Sequence, residues 1–387
     1  PDVVPESYLR SMMMAILAAA HETTSNATAN AFLTLLSHRK AWEDICANPA
    51  LIPNAVEECL RVAGSIIAWR RQATADAVVG GVPIPKGSKL LLVQASANFD
   101  PRHFENPDEV DVYREAAVEH LTFGYGAHQC MGKNIGRLQM RVFLEEFVRR
   151  LPHMRLVEGQ PLEYLSNTSF RGPARLWVEW DPARNPERLQ AYSAPEHAPE
   201  PVPFYIGPPA KDSITRTVVL KDKQPEGDGA FRLVFADPQG AALPAWSAGA
   251  HVDVVAGGFR RKYSLCGAAD DRQHLQVVIQ REAEGRGGSR HFCDQLQPGD
   301  TVQLAGPKNL FRLDETADHY VLIAAGIGIT PMLAMADRLQ RLGKPYALHY
   351  AGRSRAQMAL LPRALRDHGP ILTLHVKDEG GRMHLPT

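Results

Sequence analysis

The sequence predicts a multidomain chain: a mainly α region, then a small antiparallel β-barrel, then an α/β unit. Three observations predict it. The chain has 387 residues, room for two or three domains. Residues 182–209 hold eight prolines, among them Pro195, Pro199, Pro201, Pro203, Pro208 and Pro209, which excludes helix and central strand and marks an extended linker. Hydrophobic periodicity is mostly helical before that stretch; after it the pattern alternates, then gives a strand, a Gly-rich turn and a helix. Forty-three basic residues balance forty-three acidic ones, so no global field draws the chain to nucleic acid or anionic lipid. The longest apolar stretch, residues 12–20, is too short to span a bilayer, and no secretory signal opens the sequence. The five cysteines, at 46, 59, 130, 266 and 293, are scattered without a C-x-x-C pair. That excludes a disulfide scaffold and a cysteine-rich zinc or iron–sulfur module. Together these readings predict a cytoplasmic protein with no nucleic-acid or membrane partner.

Residues 6–37 read as one long helix, apolar or small on several faces and hence mostly buried, with Met12–Met14 as core filler. A short helix over 53–62 opens on Pro53. Strand-like runs follow at Gly80–Ile84 and Leu90–Ala95, then an irregular stretch to Arg114. A second long helix runs from about Gly132 to about Arg150, with Ile135, Leu138, Val142, Phe143 and Phe147 on one face. Past the linker, Arg216–Leu220, Phe231–Phe235, His251–Val255, Lys262–Leu265, Leu275–Gln280 and Thr301–Leu304 read as barrel strands. Tyr320–Ala325 is an apolar strand, and Pro331–Leu342 a helix stopped by Gly343.

The most informative segment is Phe123-Gly-Tyr-Gly-Ala-His-Gln-Cys130-Met-Gly132. Glycines let backbone N–H groups turn toward the sulfur, and the following helix N-terminus favours negative charge there. Both stabilise a thiolate, the state that ligates metal. The bland alternative is a Gly-rich turn around an inert, buried cysteine. Glu58 and Arg61, three apart, share a helix face and can pair, with Glu57 a competing partner for Arg61. Thr23 is a mid-helix hydroxyl able to bond back to the carbonyl four residues earlier, with the acid Glu22 beside it.

Taken together, these segments resemble cytochrome P-450 monooxygenases over roughly residues 6–182. Phe123, Gly124, Gly126, Cys130 and Gly132 match that family's haem-binding signature. Ala19-Ala-His-Glu-Thr-Thr24 is similar to its oxygen-activation motif, and Glu58-Cys-Leu-Arg61 to its E-x-x-R pair. Asn98-Phe-Asp-Pro-Arg-His-Phe104 with Asn106-Pro resembles its meander. The resemblance implies haem b with Cys130 as axial ligand to the iron, and Glu22 and Thr23 delivering protons. It further implies Arg71, His128, Phe123 and Gly124 at the haem, Glu58 and Arg61 as structural supports, and Ile67 and Phe170 beside the substrate. His128 departs from the arginine more usual at its position.

In the second half, Arg261-Lys-Tyr-Ser264 alternates a cation and an aromatic on one strand face. Gly285-Arg-Gly-Gly-Ser289, opening a short helix at His291–Leu296, is a phosphate cradle in pattern. Ala325-Gly-Ile-Gly-Ile-Thr-Pro331 sits between strand and helix. In this order the three resemble ferredoxin reductases, most closely the phthalate dioxygenase reductase branch. That implies FMN in preference to FAD, held by Arg261, Tyr263, Ser264, Gly287, Gly288 and Ser289. It also implies NAD(P)H at Gly326, Gly328, Thr330 and Pro331. Arg353, Ser354 and Arg355 leave NADH against NADPH open.

The resulting plan is the C-terminal half of a haem domain over 1–182, a linker over 183–210, a flavin barrel over 211–314 and a truncated nucleotide domain over 315–387. It resembles self-sufficient fusions that also carry a C-terminal [2Fe–2S] domain, expected to be missing here along with the first half of the haem domain. The expected activity is hydroxylation of a small organic substrate with O2, driven by NAD(P)H through flavin and a ferredoxin-type carrier. The alternatives are a flavin reductase or diaphorase with a non-functional haem part, and a non-catalytic haem-binding module.

Overall fold

Helix periodicity places the long helices, and the partners available decide which of their faces close. In the computed structural model, described over residues 4–164, 166–167, 169–185 and 214–381, the chain divides into two units, Pro1–Ile214 and Thr215–Thr387. The linker prolines from Pro195 to Pro209 lie outside the described residues.

The first unit opens with α1 (Glu6–Ser37), α2 (Arg39–Ala47) and α3 (Ile52–Ala63), the last with proline in its first turn as expected. Short antiparallel strands β1 (Trp69–Gln72), β2 (Ala77–Val79), β3 (Val82–Ile84) and β4 (Lys89–Leu92) follow, paired β1–β4 and β2–β3. Ala95, expected in a strand, lies instead in the single turn α4 (Gln94–Ala97). After irregular chain comes α5 (Lys133–Arg150), then the two-residue strands β5 (Arg155–Leu156) and β6 (Val178–Glu179).

The core of this unit joins Leu35, Trp42, Ile45, Leu60, Met140 and Leu144, with the rings of Phe32 and Phe147 4.7 Å apart. Two expectations fail here. Helix α1 is buried only from Asn26 onward; Met13 is 62% and Leu17 69% exposed, so Met12–Met14 fill no core. On α5 the closed stripe is Met140, Leu144 and Val148, while Ile135, Val142 and Phe143 face outward. The helix carries two apolar stripes, and only one meets α1 and α3.

The irregular stretch is held by charge rather than by a ladder. Glu58 and Arg61, both side chains fully buried, form a double hydrogen bond of 2.8 and 2.8 Å. The second oxygen also accepts from the Asp111 N–H and from Arg114. Arg61 spends its remaining donors on the carbonyls of Asn98, Pro107 and Glu109. Glu57 is no competitor, because its own partners are Arg137 and His120.

The second unit contains β7 (Arg216–Pro225), β8 (Ala230–Ala236), β9 (His251–Ala256), β10 (Phe259–Ser264), β11 (Leu275–Gln280) and β12 (Thr301–Lys308). They form one antiparallel sheet in the order β10-β9-β12-β7-β8-β11. No closed barrel results: its two ends touch through the single bridge Leu265 to Val277. Between β11 and β12 lie the turn α6 (Gly288–Arg290) and a wide turn over His291–Gln295. A parallel sheet of β13 (Tyr320–Ala325), β14 (Tyr346–Gly352) and β15 (Leu372–Val376) completes the unit, with α7 (Ile329–Arg341) and α8 (Leu361–His368). Gly343 ends α7's turn at φ +66°, as its position predicted. One cluster of buried side chains runs from Val218 and Phe235 through Leu333 to Val376, so both sheets share a core. No described helix is long and apolar enough to cross a membrane.

Replacing Glu58 with alanine strands the Arg61 charge in the interior. It is expected to cost the first unit about 3–5 kcal/mol. Calorimetry should show that unit's transition lowered and the second unit's transition unmoved.

Candidate functional site

Burial, partial for Cys46 and full for Cys59, Cys266 and Cys293, keeps four of the five cysteines as neutral thiols. It pushes the thiols of Cys46 and Cys293 up to about 11 and that of Cys266 to about 12, and raises Cys59 as well. Cys130 alone is exposed. It sits at the mouth of α5, two residues after the φ +79° turn at Gly126 has reversed the chain at Ala127–His128. The Cys130 N–H donates to the Phe123 carbonyl at 2.9 Å, closing the loop on itself. Gly124, at φ +72°, lets the chain leave Phe123 in a left-handed turn.

Below the loop, Thr122 donates its hydroxyl to the Leu60 carbonyl, and Asn98 bonds both that hydroxyl and the Leu121 N–H. The loop is thereby tied to α3 and to the stretch that Arg61 holds. His128 and Arg71 are exposed, neither paired with a carboxylate among the described residues; Arg71 donates to the Arg70 carbonyl. Both can meet the carboxylates of a porphyrin. Glu22 is likewise exposed, on α1. Thr23 makes the expected back-bond to the Ala19 carbonyl, and no bond links it to the cysteine loop. Ile67 and Phe170 lie on adjacent chain segments, the Ile67 N–H donating to the Ser169 carbonyl. A cavity of about 500 Å³ opens elsewhere, between Thr24, Thr28 and Phe32 of α1 and Phe143 and Phe147 of α5, and includes none of Glu22, Thr23 or Cys130.

In the second unit, Arg261 and Tyr263 share one face of β10. A Cβ on Gly288 would lie 2.9 Å from Arg261 Nε, so only glycine lets the guanidinium settle against the turn. Gly287 takes φ +90° to begin it, and Ser289 Oγ accepts from the Glu282 N–H at 3.1 Å. Tyr263 meets Phe292 edge-on at 5.9 Å, and burial pushes its phenol to about 12, keeping it neutral. Ser264 lies opposite His251 in the sheet register. A cation beside a glycine turn, next to an aromatic plate, suits a phosphate-bearing planar ring. At the end of β13, Gly326 and Gly328 have open space where side chains would stand. Pro331 is in the first turn of α7, while the buried Thr330 spends its hydroxyl on the Ile327 carbonyl. Arg355 is held by Glu379 through two hydrogen bonds, of 2.7 and 3.1 Å.

A family model described as cytochrome P450 matches residues 42–165. Phthalate dioxygenase reductase from Burkholderia cepacia is 41% identical over 148 residues, 38% of this chain and 45% of its own. A matched cytochrome P450 domain is thus fused to a phthalate dioxygenase reductase-like module. Full-length CYP116B46 from Tepidiphilus thermophilus superposes on 99% of the fusion at a TM-score of 0.91 and 46% identity, with 51% of that chain covered. An intact type IV self-sufficient cytochrome P450 monooxygenase is 53% identical, at a TM-score of 0.52 over 100% of this chain and 50% of its own. The fusion thus spans about half the length of the relatives it matches. Its P450 part implies haem, and its reductase-like module implies a flavin and NAD(P)H.

What sequence reading missed is the pairing of Glu57 with Arg137, 80 residues apart, beneath Phe123. No spacing rule reaches that far. The thiol ranking makes a direct prediction: near pH 7.5 a neutral alkylating reagent should modify Cys130 and spare the other four. Peptide mapping of the folded protein checks it, and Cys130→Ser should remove nearly all labelling.

Proposed function

We propose that the chain serves a haem-thiolate monooxygenase that takes electrons from NAD(P)H through FMN and a ferredoxin-type carrier and hydroxylates a small organic substrate with O2. The observation that carries this reading is the single exposed thiol, Cys130, presented at a helix N-terminus by a glycine loop closed on Phe123. When bound, the haem supplies a thiolate-ligated iron whose electron-rich sulfur favours O–O cleavage.

The remaining roles belong to this chain's own side chains. Cys130 offers its sulfur, aided by the partial positive charge of the α5 terminus. Arg71 and His128 hold the porphyrin carboxylates, and Phe123 and Gly124 shape the loop around them. Glu22, exposed on α1, and Thr23, whose hydroxyl bonds back to the Ala19 carbonyl, are the acid and the hydroxyl that deliver protons. In the module, Arg261, Gly287, Gly288 and Ser289 hold the flavin phosphate, Tyr263 packs against the ring, and Ser264 lies at its reactive edge. Gly326 and Gly328 let a nicotinamide nucleotide approach the backbone, ahead of Pro331 and α7.

Cys130→Ala is expected to abolish hydroxylation and the red-shifted absorbance band of the reduced carbon monoxide complex; a retained band would overturn the ligand assignment. Thr23→Ala should leave that band intact and lower the ratio of product formed to NAD(P)H consumed severalfold. Gly288→Val, which drives a side chain into Arg261, should release flavin on gel filtration.

A second reading, a flavin reductase acting on external acceptors, is favoured by one observation. The reductase-like unit has a continuous buried core, whereas the first unit leaves half of α1 bare. NAD(P)H-dependent dye reduction by a chain that incorporates no haem supports it.

A further inference from the structure

Residues 125–132 of the cysteine loop are all exposed, so none of their side chains anchors the loop to the interior. The half-buried ring of Phe123, at the loop's first position, is the anchor. Its surroundings are a charged cluster. The Arg137 guanidinium lies 4.7 Å from the Phe123 ring centroid, and the His120 ring 5.5 Å. Arg137 is gripped by both oxygens of Glu57, at 2.7 and 2.9 Å, and Glu57 is 1% exposed. His120, its side chain wholly buried, accepts the Thr122 N–H on Nδ1 at 3.1 Å. Its proton therefore sits on Nε2, which lies 3.3 Å from a Glu57 oxygen without the alignment of a hydrogen bond. Burial works to raise the Glu57 carboxyl, but the adjacent His120 ring and the hydrogen-bonded Arg137 guanidinium outweigh it and hold the group below the usual carboxylate range.

We infer that Glu57 is a positioning residue for the Cys130 sulfur, acting through Arg137 and the Phe123 ring. The carboxylate fixes the guanidinium, the guanidinium and the His120 ring fix the aromatic plate, and the plate's own carbonyl receives the Cys130 N–H. Adjacent carboxylates on one helix thus divide the labour. Glu58 holds the irregular stretch through Arg61 and Arg114, and Glu57 aims the loop. The inference rests on the reading of Cys130 as the haem ligand.

Amide hydrogen exchange tests it, comparing a peptide over residues 123–132 with one over 27–36 in the core of α1. Glu57→Gln and Phe123→Leu are each expected to speed exchange over 123–132 by about tenfold or more, leaving 27–36 at the unsubstituted rate. Arg137→Lys, which keeps a cation over the ring, should move it by less than about threefold. Unchanged exchange over 123–132, or equal acceleration of both peptides, overturns the inference. If Glu57→Gln does not fold, Phe123→Leu carries the test, since it leaves the ion pair whole. With haem supplied, Glu57→Gln should also shift part of the red-shifted carbon monoxide band to shorter wavelength. Absence of that band in the unsubstituted chain overturns the ligand reading instead, and leaves the exchange result standing on its own.

Discussion

The Glu58–Arg61 pair is the constraint on which the first unit's site depends. An arginine without solvent is tolerable only when its five donors are met, and here a carboxylate and three carbonyls meet them. Those carbonyls belong to Asn98, Pro107 and Glu109, in chain that has neither helix nor ladder to fix it. Phe99 and Phe104 close over the guanidinium at 5.6 and 5.2 Å, excluding the water that would weaken the pair. Because Asn98 in turn bonds Leu121 and Thr122, the position of the cysteine loop is inherited from a charge on α3. A pairing legible in sequence only as a shared helix face becomes a structural centre once it is buried.

The second unit solves its problem with missing side chains. The sheet and the parallel strands share one apolar core, and the polar features lie where that core gives out. The turn at Gly287 and Gly288 admits Arg261 because it carries no Cβ, and the space over Gly326 and Gly328 stays open for the same reason. Arg355 is neutralised by Glu379, whereas Arg353, just past the end of β14, forms no ion pair among the described residues.

Local pattern was legible and remote partnership was not. Leu275–Gln280 and Tyr320–Ala325 occupy the strands read from alternation and apolar run, and α5 begins within a residue of its expected start. The Thr23 back-bond and the Glu58–Arg61 contact follow from spacings of four and three. The buried stripe of α5 could not be read, since Ile135 and Phe143 are as apolar as Leu144 and only the neighbouring helices distinguish them. Glu57 was assigned the wrong arginine for a related reason: Arg61 is near in sequence, and Arg137 is near only after folding. Barrel closure failed as an expectation because strand periodicity says nothing about whether the last strand reaches the first.

Helix α1 is two things joined end to end. From Asn26 its side chains are packed, while residues 6–22 carry roughly 25 Å of helix at 1.5 Å per residue whose side chains are nearly all exposed. Such a segment could not start a helix efficiently by itself, since the first turn fixes several residues for one hydrogen bond. The packed portion supplies that turn ready-made, so the bare part extends from a template. Helicity along it is therefore graded, highest at the buried junction. Thr23 stands one turn from that junction, where the gradient protects it most.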